Sequence, residues 1–459
     1  MFKQKFSLLS FLVLIFALAI EAKVPTKKSS KNKNTKTIKC STKKTAPKIH
    51  HPISKQSTLI KQKEQQKADS AIMQTPTLQT TLPIKKIRVL LNEYPLDKEN
   101  TFSIKSPSGF VLESPVKSSN CAVYQSPEIR LLYRNGKMHM RCKDGKYRKL
   151  KYNSVEICNT GQKLLLGTTT YQGSLIFLVS HQSNKVFVIN KVALEDYVCA
   201  VVGSESTPSW PLAFQKIQAI MSRTFALHRM KQNRLQGSSQ CVYDIKNTNF
   251  HQVYNGHHNY SKIRQAVDET AGLVVTHHNN IAFTEFDICC GGIATNKMRK
   301  IDRSQQYLCK QTPCAFCTTS PYHHWKIDQQ INTFAQTVAK HPALQEKLSF
   351  INAKNPLTDV KIVDKDAAGV VYKVRLISKK GRTASLTGNE LKRCFPVRIK
   401  SLAFTIKKIR DRIVIAGKGY GHLRGVCQWG CKDLVDRGWN IRKILKFYYP
   451  GTEIKHLVA

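Results

Sequence analysis

The sequence predicts an α+β fold, with a strand-rich N-terminal part followed by a mixed region of helices and antiparallel strands. Before residue 190 the chain is dominated by short runs rich in β-branched and aromatic residues, such as 87–91 and 129–133, with Ser, Pro, Gly and Asn between them. From residue 194 onward, apolar residues recur at helical spacing and strand-like runs return between the helical segments. This order of elements is typical of the α+β class.

The individual elements follow from local pattern. Runs 175–179 and 185–189 predict a hairpin, because a short polar turn separates them. The later pattern predicts helices beginning at 194 and at 211–234, 261–271, 333–349 and 434–447, a short helix at 389–394, and strands at 273–276, 281–286, 360–363, 370–377 and 413–415.

Composition excludes several classes of protein. The 459 residues include 74 Lys and Arg against 29 Asp and Glu, a formal net charge of +45, and a hydrophobic fraction of 41% excludes a wholly disordered chain. Only residues 6–20 are long and apolar enough to enter a bilayer, which excludes a polytopic membrane protein. No phosphate-binding G-x-x-x-x-G-K-[ST] sequence occurs, so a P-loop nucleotide enzyme is not indicated.

The N-terminus has the pattern of an export signal. Two lysines, Lys3 and Lys5, precede the apolar run 6–20, and small residues follow near Ala19 and Ala22. Residues 1–22 are therefore predicted to be a signal peptide that exports the protein to the periplasm or the outer face of the cytoplasmic membrane. The alternative is an uncleaved signal anchor.

A strongly basic segment, 23–86, comes next. Residues 23–88 hold 17 Lys and Arg against only Glu64 and Asp69, and the remainder is mostly polar. Such a composition buries too little apolar surface to fold, so the segment is predicted to be a disordered linker. It is either an arm that attaches to anionic lipids, wall polymers and glycans, or a solvated linker without a partner. Nucleic acid is not expected as a partner of an exported chain.

Five ordered stretches of the sequence resemble one family. Residues 190–211 read N-K-V-A-L-E-D-Y-V-C-A-V-V-G-S-E-S-T-P-S-W-P, and residues 417–430 read G-K-G-Y-G-H-L-R-G-V-C-Q-W-G. With 218–227, 244–256 and 266–292 between them, these stretches resemble the stage II sporulation protein D (SpoIID/LytB) family in the right order, over about 171–454. Three departures are Ser206 where the family has Met, Cys199 where Gly is common, and Leu423-Arg424 in place of small residues.

The resemblance implies a SpoIID-like domain over 87–459 and an activity in the cell wall. Enzymatic members of the family are lytic transglycosylases, which cleave the bond between N-acetylmuramic acid and N-acetylglucosamine in peptidoglycan glycan strands and leave 1,6-anhydro products. The resemblance implies denuded strands as the substrate. Such enzymes act in cell division, sporulation or wall turnover, beside amidases and septal wall proteins. The alternative is a non-catalytic, peptidoglycan-binding amidase enhancer, which the LytB side of the family represents.

Glu205 lies at the position of the family's catalytic glutamate. One carboxyl group suffices for this reaction, because the attacking hydroxyl belongs to the sugar itself. A general acid needs a raised pKa, and an apolar helix ending at 201–203 supplies both desolvation and the negative end of a helix dipole. The alternative is an ordinary surface glutamate at a helix end.

Six further residues of the matched motifs are candidates for substrate binding, each with a structural alternative. Arg223 would orient a muramic carboxylate or an acetamide, or hold Glu205 in place, or else form an ion pair with Glu195 or Asp196. Gln252 and Tyr254 would contact a sugar or brace a buried loop, and Trp429 would stack on substrate or belong to the core. The full set is Arg223, Gln252, Tyr254, His422, Gln428 and Trp429.

Catalysis of this kind requires no cofactor, but the 14 cysteines suggest a structural metal. Cys290, Cys317 and Cys427 fall inside the family motifs, some members of which bind zinc nearby. His324, or its neighbour His323, would complete a Cys3His zinc site. Disulfides or unpaired buried thiols are the alternatives.

Overall fold

The computed structural model describes residues 75–79, 85–113, 122–124, 127–142, 144–159, 163–235, 242–293, 297–299, 303–309 and 313–458. The predicted signal peptide, 1–22, lies outside these ranges, as does nearly all of the basic segment 23–86. Within them, no helix has both the length and the apolar character needed to cross a bilayer.

The described residues form seven α-helices and many more strands, in several sheets, which is consistent with the α+β class. The first thirteen strands are β1 (Thr77–Gln79), β2 (Lys86–Pro95), β3 (Asn100–Lys105), β4 (Phe110–Glu113), β5 (Ala122–Tyr124), β6 (Glu128–Arg134), β7 (Lys137–Arg141), β8 (Tyr147–Lys149), β9 (Ser154–Asn159), β10 (Leu164–Leu166), β11 (Thr169–Tyr171), β12 (Ser174–Ser180) and β13 (Lys185–Ala193).

The later strands alternate with helices. They are β14 (Ile245–Lys246), β15 (Leu273–His277), β16 (Asn280–Ile281), β17 (Phe286–Asp287), β18 (His324–Gln330), β19 (Leu357–Lys365), β20 (Val371–Ser378), β21 (Thr383–Thr387), β22 (Phe404–Ile409), β23 (Arg412–Lys418), β24 (Val426–Cys427) and β25 (Glu453–Val458). The α-helices are α1 (Leu194–Glu205), α2 (Leu212–Leu235), α3 (Ser261–Asp268), α4 (Ile331–Ala339), α5 (Gly388–Cys394), α6 (Gln428–Asp436) and α7 (Ile441–Tyr448).

Two large sheets make up the strand-rich N-terminal part. One has seven strands in the order β14-β2-β13-β12-β9-β4-β5, and the other has six in the order β11-β10-β3-β6-β7-β8. Alternate residues of β6, Ile129, Leu131 and Tyr133, are buried, as the period of a strand requires. The predicted hairpin is confirmed, since β12 and β13 pair antiparallel with Phe177 opposite Val188.

The long helix α2 joins the sheets to the rest of this core. Its predicted apolar face, which includes Phe214, Ile217, Ile220 and Leu227, is fully buried. It packs against α1, α3 and β15 in one continuous apolar cluster. Because α1 begins at the residue after β13 ends, the strand fixes the direction in which α1 leaves the sheet.

A second core lies between the cysteine-rich segment and the glycine-rich segment 417–430. Two three-stranded sheets, β18-β23-β22 and β19-β20-β21, pack with α4 and α5 around buried Phe334, Leu376, Leu386, Phe395 and Ile415. The short helix predicted at 389–394 is confirmed as α5, which Thr387 caps by accepting a hydrogen bond from the Glu390 N–H.

Three predicted elements were wrong in extent. The helix predicted at 333–349 ends at Ala339, because Pro342 opens a separate 3-10 turn. The helix predicted at 434–447 is two helices, α6 and α7, divided at Gly438, whose φ of +80° favours glycine. The strand predicted at 281–286 is interrupted, and only its two ends belong to β16 and β17.

Candidate functional site

Glu205 is the last residue of α1, and its position is fixed by the serines beside it. Ser204 and Ser206 each donate a hydroxyl hydrogen bond to a carbonyl one turn earlier, at Ala200 and Val202. The Ser206 hydroxyl also lies 2.8 Å from Oε1 of Gln215 on α2. Ser206, which replaces the family's Met, therefore ties the end of α1 to α2.

The carboxyl group of Glu205 is held by the main chain of the loop 247–256. The Val253 N–H donates a hydrogen bond of 2.6 Å to Glu205 Oε1. The side chain is half-buried, and its removal from water raises its pKa to about 7, although the hydrogen bond from Val253 acts in the opposite direction. Removal from water is thus the main cause, as the apolar end of α1 suggested. A carboxyl group with this pKa is protonated in about half of the molecules at neutral pH.

Gln252 and Tyr254, on either side of Val253, point into the core. Gln252 Oε1 accepts a hydrogen bond of 2.8 Å from the Tyr197 hydroxyl, and the Tyr254 hydroxyl lies 2.5 Å from Asn190 Oδ1. Tyr254 also stacks on Tyr197, and both Gln252 and Tyr254 are about 1% exposed. In this arrangement they brace the loop, which was the alternative role, and they set where the Val253 N–H points.

Arg223 lies on α2, and its buried side chain does not contact the Glu205 carboxyl. Its guanidinium donates to both oxygens of Glu195, at 2.5 to 3.2 Å, and to the carbonyls of Leu273 and Val267. The side chain is 0% exposed. Its contacts match the structural ion pair that the sequence left open, and a glycan outside the protein would not touch it.

The glycine-rich segment meets the end of α1 through Gln428. Its amide donates a hydrogen bond of 2.8 Å to the main-chain carbonyl of Glu205 and lies 3.4 Å from Gln218 Oε1. Gln428 is buried, so it contacts Glu205 from the interior of the protein.

His422 and Trp429 are the predicted binding residues that retain access to solvent. The His422 side chain is exposed, with Nε2 3.0 Å from the Phe286 carbonyl. Trp429 is half-buried and lies edge-to-face on Trp210, with ring centroids 5.4 Å apart. Trp210 follows Glu205 by five residues in the sequence.

The segment can turn sharply here only because of its glycines. Gly421 has a φ of +130°, and a Cβ atom at this position would lie 2.4 Å from that of Asp287. Asp287 Oδ2 in turn accepts a 2.7 Å hydrogen bond from the Leu423 N–H. The unusual Arg424 forms an ion pair of 2.7 Å with Glu285.

Four buried cysteines converge behind the glycine-rich segment. The sulfurs of Cys290, Cys314, Cys317 and Cys427 lie within 4.8 Å of one another. His324, predicted as the fourth ligand, is instead exposed on β18, and Cys314 occupies the place assigned to it. Its neighbour His323 is nearer, with Nδ1 3.4 Å from Cys317 Sγ. The C-x2-C spacing of Cys314 and Cys317 was the sequence signal for this ligand.

The donor set suits a tetrahedral metal ion. Cys290 Sγ and Cys317 Sγ are 3.8 Å apart, close to the edge of about 3.8 Å of a zinc–thiolate tetrahedron and far beyond a disulfide bond of about 2.05 Å. The N–H groups of Cys290 and Gly430 approach Cys427 Sγ at 3.3 and 3.4 Å. Hydrogen bonds from Cys289, then Cys314 and Cys427, lower the pKa of the Cys317 thiol to about 3, although Cys290 opposes this. A thiol with a lowered pKa is a good metal ligand, whereas burial raises the pKa of the Cys427 thiol.

Comparison with known proteins finds one family model that matches part of the chain. Residues 182–277, from the β12–β13 hairpin through Glu205 and the loop 247–256 to the end of β15, match the sequence model of SpoIID, described as Stage II sporulation protein. The chain is therefore similar to the SpoIID family over this segment.

Three relatives illustrate the range of this similarity. An uncharacterized protein of Brachyspira hyodysenteriae is 28% identical over 76% of this chain and 90% of its own length. Stage II sporulation protein D of Bacillus subtilis is 25% identical over 64% of this chain and 83% of its own length. The amidase enhancer of Bacillus subtilis is 25% identical over 64% of this chain, but the match spans only 45% of that protein.

Proposed function

We propose that this protein is an exported peptidoglycan-remodelling enzyme, a lytic transglycosylase that cleaves the bond between N-acetylmuramic acid and N-acetylglucosamine in denuded glycan strands. The similarity to the SpoIID family supports a role in the cell wall. The observation that carries the proposal is the Glu205 carboxyl group, which a main-chain N–H orients and burial holds at a pKa of about 7. Its site of action would be the periplasm or the outer face of the cytoplasmic membrane, during cell division or wall turnover.

Glu205 would serve as acid and then as base. Because Val253 occupies Oε1, Oε2 is the oxygen that would carry the proton. It would protonate the glycosidic oxygen as the bond from C1 to that oxygen breaks. The same carboxylate would then take the proton from the 6-hydroxyl of the muramic acid as this oxygen bonds to C1, which closes the 1,6-anhydro ring and restores the acid.

The other predicted site residues divide into two groups in this proposal. His422 and Trp429, which solvent reaches, would contact the glycan. Gln252, Tyr254 and Gln428 would position Glu205 from the protein side through the contacts that they already make. Arg223 would serve the fold alone.

The cysteine cluster would hold a structural zinc ion through Cys290, Cys314, Cys317 and Cys427. When bound, zinc would supply a closed tetrahedral cross-link and no catalytic water. It would fasten the 289–317 segment to Cys427, next to Gln428. Catalysis itself would need no cofactor.

The experiment is to incubate the purified protein with denuded and with intact peptidoglycan and to analyse the products by mass spectrometry. Anhydro-muramic products from denuded strands, absent with Glu205→Gln, are the expected result. Intact peptidoglycan as an equal substrate would contradict the preference for denuded strands.

A second candidate is an amidase-enhancing protein that binds peptidoglycan without cutting it, favoured by the similarity to the amidase enhancer of Bacillus subtilis. The same incubation with an added peptidoglycan amidase distinguishes the two. Faster release of stem peptides without anhydro products, and equally with Glu205→Gln, would replace the first proposal by the second.

A further inference from the structure

The ammonium group of Lys262 lies at the turn that follows Glu205. Lys262 is in the first turn of α3, and its Nζ donates hydrogen bonds to the main-chain carbonyls of Ser209, at 3.2 Å, and Trp210, at 3.4 Å. Ser209 is four residues beyond Glu205, so the Cα atoms of these two residues cannot be more than about 14 Å apart. The ammonium group is therefore near the carboxyl end of α1.

A second contact fixes the start of α3 against α1. His258, four residues before Lys262, lies with Nε2 2.7 Å from the Cys199 carbonyl of α1. Because a carbonyl can only accept, Nε2 carries the hydrogen and donates it. A Cβ atom at Gly203 would lie 2.1 Å from this nitrogen, so the imidazole rests on the backbone of α1 two residues before Glu205. The segment that leads into Lys262 is thus packed on the helix that carries the proposed acid.

The turn that Lys262 contacts also borders a predicted glycan-binding residue. The indole of Trp210, whose carbonyl accepts from Lys262, lies edge-to-face on Trp429, with ring centroids 5.4 Å apart. Trp429 directly follows Gln428, which donates to the main-chain carbonyl of Glu205. Contacts therefore run without a break from Lys262 to Glu205, and the Lys262 side chain is exposed to solvent. A strand that meets both Trp429 and Glu205 is within reach of Lys262.

The positive charge of Lys262 has no carboxylate partner in the part of the chain that the structure describes. No ion pair there involves it. The acidic residues that follow it on and after α3 pair elsewhere: Asp268 lies 3.8 Å from Arg264, and Glu269 lies 2.6 Å from Lys216. An ammonium group has three donors, and the two carbonyls use two of them. One donor remains for an anion.

A glycan strand offers such an anion only when its stem peptides are gone. In intact peptidoglycan the lactyl carboxyl group of muramic acid is joined to the stem peptide as a neutral amide. In a denuded strand this group is a free carboxylic acid, which is ionised at neutral pH. An ammonium group attracts the ionised form much more strongly than the amide. The two carbonyl contacts hold Lys262 in place before the strand arrives, which reduces the entropy lost on binding.

We propose that Lys262 is the residue that selects denuded glycan strands, by binding the free lactyl carboxylate of a muramic acid residue near Glu205. The inference rests on the proposed function, because it takes a glycan strand as the ligand at Glu205. Lys262 has no part in the proton transfer. It determines which strands bind, and Glu205 determines whether they are cut.

The test measures binding of fluorescein-labelled glycan strands by fluorescence anisotropy, with the full chain carrying Glu205→Gln so that the strands stay uncut. Denuded strands are compared with the same strands after their lactyl carboxyl groups are converted to neutral methylamides, so that the two probes differ mainly in charge. Lys262→Gln keeps an amide donor for the carbonyls and removes the charge, whereas Lys262→Arg keeps the charge. Lys380→Gln is the matched control, because it removes one exposed lysine from the turn between β20 and β21.

We expect the Glu205→Gln chain to bind the acid strands at least about tenfold more tightly than the methylamide strands. Adding Lys262→Gln should weaken binding of the acid strands by about tenfold and remove the preference, whereas Lys262→Arg and Lys380→Gln should preserve it.

Three results would each overturn the proposal: no tighter binding of the acid strands by the Glu205→Gln chain, a preference that survives Lys262→Gln, or an equal loss with Lys380→Gln. The first comparison needs no change at Lys262, so it holds even if that variant folds poorly. Formation of anhydro products by the wild type decides the role of Glu205 separately, and the binding comparison does not depend on it.

Discussion

The main-chain N–H of Val253 lies 2.6 Å from Oε1 of Glu205, although 48 residues of sequence separate them. This contact joins the end of α1 to a loop whose two adjacent side chains, Gln252 and Tyr254, are fastened in the core. The carboxyl group is therefore oriented by backbone that cannot easily move. A fixed orientation is what a single carboxyl group needs if it is to give up a proton and recover it within one reaction.

We predict that Glu205→Gln lowers the rate of anhydro-product formation by at least about 100-fold, because the amide keeps the volume but cannot donate and recover a proton. Circular dichroism and binding to isolated cell walls should match those of the wild type. Product formation by Glu205→Gln at the wild-type rate would exclude Glu205 as the acid.

The pH dependence of the activity should also identify Glu205 as the acid. Since burial holds the pKa of Glu205 at about 7, we expect kcat/KM on denuded glycan to fall as the pH rises above 7, because the acid loses its proton. The measurement is a rate profile between pH 5 and pH 9 with a soluble substrate. A rate that stays level to pH 9 would contradict the proposed acid.

Glu205 should also make the folded protein less stable at alkaline pH. Folding raises its pKa from 4.5 to about 7, so between these values the folded chain binds a proton that the unfolded chain has released. Stability therefore decreases as the pH rises through this window. We predict that Glu205→Gln is more stable than the wild type by about 1–3 kcal/mol at pH 8 and equal to it near pH 4.

Thermal unfolding of both proteins across the pH range tests this expectation. Glu453→Gln, at an exposed position, is the matched control and should give no such pH-dependent difference. An equal difference in melting temperature at pH 4 and pH 8 would disprove the linkage.

Removing the charge of Arg223 should affect the fold and not glycan binding. Arg223→Met leaves Glu195 without its ion-pair partner and removes a donor from the buried carbonyls of Leu273 and Val267, and we expect a loss of about 2–4 kcal/mol in the free energy of unfolding. The fraction that remains folded at low temperature should bind glycan with the wild-type Kd. Weaker glycan binding with an unchanged melting temperature would indicate that Arg223 contacts the glycan.

Metal content should follow the four-cysteine cluster. We predict about one zinc ion per chain in the wild type and loss of this zinc in Cys314→Ser, with a lower melting temperature. Cys431→Ser is the control, because Cys431 is equally buried nearby but does not belong to the cluster. His324→Ala should keep its zinc. A metal-free wild type, or equal zinc in Cys314→Ser and the control, would reject the site.

The sequence was informative where chemistry and local pattern agree. The run of apolar residues before Glu205 predicted both α1 and a desolvated carboxyl group, and the structure contains both. The motifs and the chemistry of their side chains did not predict which of these residues are buried, however. Gln252, Tyr254 and Arg223 have the groups that bind sugars, and all three use those groups inside the protein.

The exposed position of His324 follows from the alternating pattern of the strand that contains it. Residues 324–328 alternate in a strand, so His324 must face away from buried Trp325 and Ile327. The four-cysteine arrangement itself depends on contacts between residues more than a hundred positions apart, such as Cys290 and Cys427. Local periodicity carries no information about such contacts, and the same is true of the β18–β23 pairing that builds the second core.

Cys427 and Gln428 are consecutive residues, yet one belongs to the sulfur cluster and the other holds the main chain of Glu205. A single peptide bond thus joins a cluster of oxidisable sulfurs to the residue that holds the end of α1. In the function proposed above, an oxidant that attacks the sulfurs would also disturb the Gln428 amide and, through it, the position of Glu205. The oxidation chemistry of cysteine, and not that of the glutamate, would then limit the lifetime of the proposed activity.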